Sequence, residues 1–221
     1  MKDENVYLEQ AGLKSLGFDP GALDGDEGPK TLAAKSAWRG SLGSAAASAA
    51  GTPGEIAARM VALAQGELAV RESSSNQGAG IRKYWTATSY AGGYDNREPH
   101  CAAFVCWLVA TAASAAGRGH AFGLPQSPVA FDFLAWAKAN AGKGVALVDA
   151  QGGAALMPGD IVVFAFSHAG VVEKASAAGS GSGVATIEAN TDPDSTDGEG
   201  GGVYRRSRSR GVMKGVVRIF S

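Results

Sequence analysis

Apolar positions along the chain follow three different rhythms, and each predicts a different element. Residues 99–117, P-H-C-A-A-F-V-C-W-L-V-A-T-A-A-S-A-A-G, are apolar on nearly every face and open with Pro99 at the first helical position, which predicts a central buried helix. The run is shorter than the roughly 20 apolar residues a membrane span needs. From Glu55, the segment E-I-A-A-R-M-V-A-L-A-Q-G-E-L-A-V sets Ile56, Met60, Leu63, Ala64 and Leu68 near helical spacing, with Thr52 as a cap. A third helix is predicted over 128–140, with Pro128 at its start and Phe131, Leu134 and Trp136 partly buried. After the turn Met157-Pro158-Gly159-Asp160 the rhythm changes to short β-branched runs at 161–166, 169–175, 184–190, 203–209 and 212–220. Connections this short join antiparallel strands, and with the helices first in the chain the fold class is α+β.

The N-terminal pattern is separate. Leu8, Ala11, Leu13 and Leu16 precede a stop at Gly17, Asp19 to Gly28 is dense in turn formers, and Pro29-Lys30-Thr31 starts a helix that presents Leu32, Ala33 and Trp38. Gly40 to Gly54 is uncharged Gly/Ser/Ala and reads as a flexible tether. The chain is therefore read as a small all-helical domain at 1–40, a linker at 41–54 and a larger domain at 55–221.

Composition narrows the function classes. A formal net charge of −1 leaves no electrostatic footprint for nucleic acid or an anionic membrane surface, and 45% hydrophobic residues in 221 can bury a core. The two cysteines, Cys101 and Cys106, lie five positions apart on one predicted helix and point roughly 140° away from each other, so a mutual disulfide is not expected. The opening M-K-D-E-N places acidic residues where a secretory signal needs a basic patch, so no general export signal is expected.

Chemistry concentrates on Cys101. In the first turn of a helix, unpaired N–H groups and the positive end of the dipole favour a thiolate, which then needs a base and a third group to orient that base. Of three histidines, His100 neighbours Cys101 but diverges from it by about 100° around a helix, and His120 lies past the helix at its far end. His168, at a strand start, is the candidate base. On the next strand Glu188 and Asn190 share a face at period two, so either can hydrogen-bond the imidazole. Cys106 is read as inert packing, and Tyr84, Trp85, Tyr90 and Tyr94 as loop aromatics that plug into the core. The acidic loop Asp192 to Gly200 lacks the closing glutamate of a calcium loop and is read as a solvated hairpin connection; no metal and no cofactor is expected.

Two resemblances follow from these residues. The segment L-K-S-L-G-F-D-P-G-A-L-D-G-D-E-G-P-K-T-L, with its D-G-x-x-G-P-K-T core at Asp24 to Thr31, resembles the peptidoglycan-binding domain of many cell-wall hydrolases. Glu9 and Trp38-Arg39 depart from that pattern at its edges, and Asp24, Gly25, Gly28 and Thr31 are read as shaping the turn and helix cap. The segments R-E-P-H-C-A-A-F-V-C-W, M-P-G-D-I-V-V-F, S-H-A-G-V-V-E and I-E-A-N-T followed by G-V-Y-R-R-S-R resemble the CHAP family of cysteine amidases and peptidases, relatives of NlpC-type and papain-like hydrolases. This second resemblance spans about residues 55–221 and implies a papain-like domain with helices packed on an antiparallel sheet. It also implies Cys101 as nucleophile, His168 as general base, and Glu188 with Asn190 as the orienting pair.

The expectation is a peptidoglycan hydrolase, an N-acetylmuramoyl-L-alanine amidase or a stem or cross-bridge endopeptidase, acting as a monomer on the bacterial wall with neither nucleic acid nor membrane as partner. Without an export signal the arrangement resembles a phage endolysin, made in the host cytoplasm and acting after release. The alternatives are a wall amidase effector delivered by a secretion machine, which would imply an immunity protein, a cytoplasmic cysteine hydrolase or deamidase toxin, and a non-catalytic wall-binding protein.

Overall fold

The computed structural model describes residues 6–7, 10, 13–14, 19–35, 54–90, 92–117, 120–151, 153–177, 183–195 and 200–220. The chain divides into two compact units, Met1–Ala50 with Ala115–Arg118, and Gly51–Ser114 with Gly119–Ser221. Apart from Gly54, the tether expected at 41–54 lies outside the described residues, as do Thr52 and Trp38.

In the first unit, the only regular structure among the described residues is helical, including a helix over 29–35 that begins at Pro29 as its sequence predicts. A buried glutamine ties residue 10 to the turn at 24–31. The Gln10 amide donates to Asp24 Oδ1 (3.0 Å), the Asp26 carbonyl (2.9 Å) and Thr31 Oγ1 (3.0 Å), and its oxygen accepts from the N–H groups of Asp24 and Gly25 (both 3.0 Å). Thr31 donates in turn to the Pro20 carbonyl (3.1 Å). Asp24, Gly25 and Thr31 thus shape the turn, and Gly25 takes the left-handed backbone (φ 76) that glycine permits. The expected face of the helix is corrected: Thr31 and Ala34 point inward while Leu32 is 52% exposed. Thr31 is drawn inward by its bonds to Gln10 and Pro20, and that sets the rotation of the helix.

The second unit is α+β. Among the described residues, three α-helices, α1 (Glu55–Gly66), α2 (Cys101–Ala115) and α3 (Asp132–Ala139), and two short 3-10 helices accompany six strands: β1 (Val145–Val148), β2 (Ile161–Phe164), β3 (His168–Val172), β4 (Val184–Thr191), β5 (Gly202–Arg208) and β6 (Met213–Ile219). They form one sheet in the order β1-β6-β2-β3-β4-β5, antiparallel throughout. The sequence pattern had supplied five of these strands; β1 is added at the edge, where Val145 pairs with Ile219 and Val148 with Val216. Four residues with only Val145 buried carry too little pattern to distinguish a strand from a loop.

The central strands β2 and β3 are buried on both faces, which explains why they read as continuous apolar runs rather than as alternation. On one side Leu156, Val162, Phe164, Val172, Val184, Met213 and Val216 form a core cluster. Helix α1 packs on β3, and α3 packs on β1 and β6. Gly159, at φ 88, lies where a Cβ would come within 2.5 Å of Ala57 in α1, so it permits that close approach. Helix α2 starts two residues after Pro99 and is apolar and buried around most of its circumference. No helix among the described residues is long and apolar enough to cross a membrane.

Candidate active site

Cys101 is the first residue of α2, and the helical ladder begins just before it, with the Phe104 N–H donating to the His100 carbonyl (2.9 Å). The thiol is 5% exposed and takes hydrogen bonds from the His168 side chain and from the backbone N–H groups of Ala102 and Ala169. Burial alone would push such a thiol up. The charge of His168, its hydrogen bond and the two backbone donors outweigh burial and hold Cys101 below the ordinary thiol range.

His168 arrives from the other side of the site. Phe164 and His168 pair across a three-residue hairpin whose last residue, Ser167, sits in the left-handed region (φ 60), the geometry such loops prefer. The turn aims the first side chain of β3 and the next backbone N–H, that of Ala169, at the same sulfur. His168 Nε2 lies 3.1 Å from Glu188 Oε2, which leaves Nδ1 for the thiol. Burial opposes a charge on this ring, but the Cys101 thiolate and then Glu188 raise it to about 9. The two shifts point the same way, toward a thiolate–imidazolium pair.

Glu188 is fully buried and fully paired. Its Oε2 accepts from His168 and from Arg208 Nη2 (2.7 Å), and its Oε1 from Thr186 Oγ1 (2.6 Å) and Arg208 Nε (3.1 Å). Burial would raise the carboxyl, but the bonds from His168 and Arg208 lower it to about 2. Gly170 makes the reach to His168 feasible. It is the register partner of Glu188, and a Cβ there would lie 2.6 Å from Glu188 Cγ. With no side chain at 170, the glutamate lies across the strand toward the imidazole two residues earlier on β3.

Asn190 is placed differently from Glu188. The pairing of β4 shifts register between Glu188 and Thr191, and Asn190 adopts φ 59, so the period-two argument that put both residues on one face fails at this bulge. Its Oδ1 accepts the backbone N–H of His100 (3.3 Å) and lies 2.9 Å from His100 Nδ1. An amide oxygen only accepts, so the His100 proton is on Nδ1 and its Nε2 is bare, 3.8 Å from Glu72 Oε1. His100 is fully buried; burial and the charge of His168 push it down to about 3, so it is neutral. The structure thus brings Cys101, His168 and Glu188 into one line and sets Asn190 behind His100.

The other candidates lie away from the sulfur's partners. Cys106 Sγ contacts the Ser127 carbonyl (3.4 Å), and burial pushes its thiol up to about 12, so it is not nucleophilic. His120 stacks on Phe122 with ring centroids 4.7 Å apart. Tyr84 and Trp85 are buried core residues, Tyr90 is half-exposed, and Tyr94 lies under Arg82. In the acidic loop, Asp192 Oδ1 accepts from the N–H groups of Asp194 (2.8 Å) and Ser195 (2.6 Å), and residues 196–199 lie outside the described residues. Among the described residues no three His, Cys, Asp or Glu side chains converge as metal ligands would.

Sequence reasoning did not find Arg208, Thr186, Gly170 or Glu72. Thr186 and Arg208 had a recoverable signal, since each alternates with a neighbour on one strand face, but their meeting depends on the β4/β5 register, in which Tyr204 pairs with Glu188 and Arg208 with Val184. The chemistry the arrangement permits is acyl transfer to sulfur. The thiol is held low at a helix start, the imidazole beside it is held high and can give up a proton, and a helix start is the kind of place where backbone N–H groups meet a developing oxyanion. Comparison with protein-family models, with curated proteins and with solved structures returns no match.

Proposed function

We propose that the chain is a peptidoglycan amide hydrolase, with a CHAP-like, papain-like cysteine domain over 55–221 and a peptidoglycan-binding module over 1–40. The observation that carries this reading is the line Cys101–His168–Glu188, buried and hydrogen-bonded, with the thiol depressed and the imidazole raised. The wall as target is supported by the D-G-x-x-G-P-K-T turn of the first unit, which Gln10 organises.

In the reaction, the Cys101 thiolate attacks the amide carbonyl of a stem or cross-bridge peptide, forming a C–S bond and a tetrahedral oxyanion. His168 gives its Nδ1 proton to the departing nitrogen as the C–N bond breaks, leaving a thioester and a neutral imidazole. That imidazole takes a proton from water, the resulting hydroxide attacks the thioester, and the carboxylic acid leaves as the thiolate re-forms. Glu188 stays ionised throughout and holds the ring in the tautomer both steps require.

Digestion of purified sacculi by wild type and by Cys101→Ala, with fragments identified by mass spectrometry, tests the reading. Wild type should release cut muropeptides and the variant none. New N-terminal alanine beside stripped glycan identifies an amidase, and cut stems or cross-bridges an endopeptidase. Sacculi left intact by wild type would refute the hydrolase and turn attention to a deamidase acting on proteins or to a wall-binding role without catalysis. In the cell, release in the manner of a phage endolysin is the proposed route to the wall, with delivery as an effector as the alternative.

A further inference from the structure

We propose that Arg208 is a positioning residue of this site: its guanidinium fixes both the place and the charge of the carboxylate that orients His168. The inference rests on the reading of Cys101, His168 and Glu188 as a hydrolytic line.

Four observations carry it. First, Arg208 is only 6% exposed and its fork spans both oxygens of a fully buried carboxylate, Nε to Oε1 at 3.1 Å and to Oε2 at 3.2 Å, and Nη2 to Oε2 at 2.7 Å. Second, the Nη2 bond falls on the same oxygen that takes His168 Nε2, so rotation of the carboxylate away from the imidazole breaks a charge-assisted bond as well as the histidine contact. Third, the guanidinium lies over Phe166 and Phe164 (5.4 and 5.6 Å to the ring centroids), and those same two rings stack on the His168 imidazole (5.9 and 5.8 Å). One aromatic pair, its rings 5° from coplanar, therefore lies against both cationic partners of Glu188. Fourth, Nη1 donates to the Ser195 carbonyl (3.3 Å), so the arginine is anchored at its far end as well. Without the guanidinium, Glu188 would keep Thr186 and His168 but face a low-dielectric pocket with one cation in place of two. The carboxylate would then protonate more readily, and the imidazolium beside Cys101 would lose its counter-charge. Lysine supplies a charge but not the fork.

The first readout of the test is the thiolate itself and needs no polymer; the second is turnover. The rate of iodoacetamide alkylation is followed across pH; Cys106 is silent because its thiol is pushed up to about 12. In R208Q and R208M the acid limb of Cys101 reactivity should move up by about one pH unit, roughly a tenfold slower alkylation below that limb. In R208K the limb should stay within about 0.3 units while kcat for muropeptide release falls about tenfold with KM unchanged. A limb at the wild-type position in R208Q and R208M, with only a lower thermal midpoint, would mean the arginine merely holds β5 in place and would overturn the proposal. Should both neutral variants fail to fold, R208K decides: wild-type kcat overturns it and the tenfold loss supports it. A wild-type enzyme that shows the low acid limb but leaves sacculi intact would remove the peptidoglycan reading while the R208Q and R208M shifts still judge the role of Arg208.

Discussion

Replacing Gly170 with alanine adds one methyl group, and the structure gives the size of the resulting conflict. The new Cβ would lie 2.6 Å from Glu188 Cγ and 3.1 Å from the Ile187 carbonyl oxygen, where ordinary contact begins near 3.4 Å. Something has to move by close to 1 Å. The carbonyl belongs to the ladder between β3 and β4 and cannot yield, and Glu188 is held by His168, Arg208 and Thr186. The glutamate therefore shifts, because its end is the only part with a torsion to spare. Overpacking of this kind costs about 1–3 kcal/mol of stability, and displacement of an orienting group by about 1 Å costs on the order of 100-fold in turnover. On the hydrolase reading proposed above, muropeptide release measures the second and thermal denaturation of G170A the first. Gly66, the last residue of α1, has nothing within 4 Å of its would-be Cβ and serves as the control, with G66A unchanged in activity and equal or higher in stability. Full activity in G170A would refute the argument that the missing side chain is what lets Glu188 reach the imidazole.

Two further outcomes follow. Stability should fall as pH drops below about 6.5, because groups that stay unprotonated in the fold take up protons in the unfolded chain there. His100, pushed down to about 3, stays neutral in the fold while the unfolded chain takes up a proton below 6.5, so stability is lost progressively from 6.5 toward 3. Glu188, at about 2 against an ordinary 4.5, adds a loss from 4.5 downward, whereas between 6.5 and about 9 the proton His168 keeps in the fold is matched by the one Cys101 gives up, so stability there stays nearly level. Thermal midpoints across pH should show this, and H100N should flatten the slope between 6.5 and 4.5; an unchanged slope there would assign the acid loss to other groups. In the first unit, Gln10→Leu removes the five hydrogen bonds the amide makes to Asp24, Gly25, Asp26 and Thr31, and leaves buried polar groups unpaired. A loss of about 2–4 kcal/mol in the full-length chain is expected, read from amide hydrogen exchange at Asp24 and Gly25; wild-type protection at those two amides would show that the turn forms without the glutamine.

Cys101, His168 and Glu188 were legible because each sits at a point where local pattern and chemistry coincide: a helix start, a strand start after a turn, and an alternating strand. Asn190 was misread for a physical reason. Alternation assumes an unbroken strand, and the bulge with φ 59 that turns its amide toward His100 has no signature in I-E-A-N-T. Arg208 and Gly170 were invisible for a related reason, since each acts on Glu188 across the sheet and register is a property of pairs of strands. Edge strand β1 was too short to carry a pattern, and the start of α3 fell four residues later than Pro128 suggests, at Asp132, whose carboxylate accepts from Ser127 Oγ (2.6 Å).

The position of Cys101 at the head of the helix that fills the core ties chemical reactivity to completion of folding. In an unfolded chain the thiol has no helix behind it, no imidazolium in front of it and no Ala169 N–H, and it carries the sluggish acidity of any cysteine in water, near 8.5. The lowered thiol is thus a property of the finished fold: it exists only where β3 meets the start of α2, and it arrives together with the burial of the sulfur.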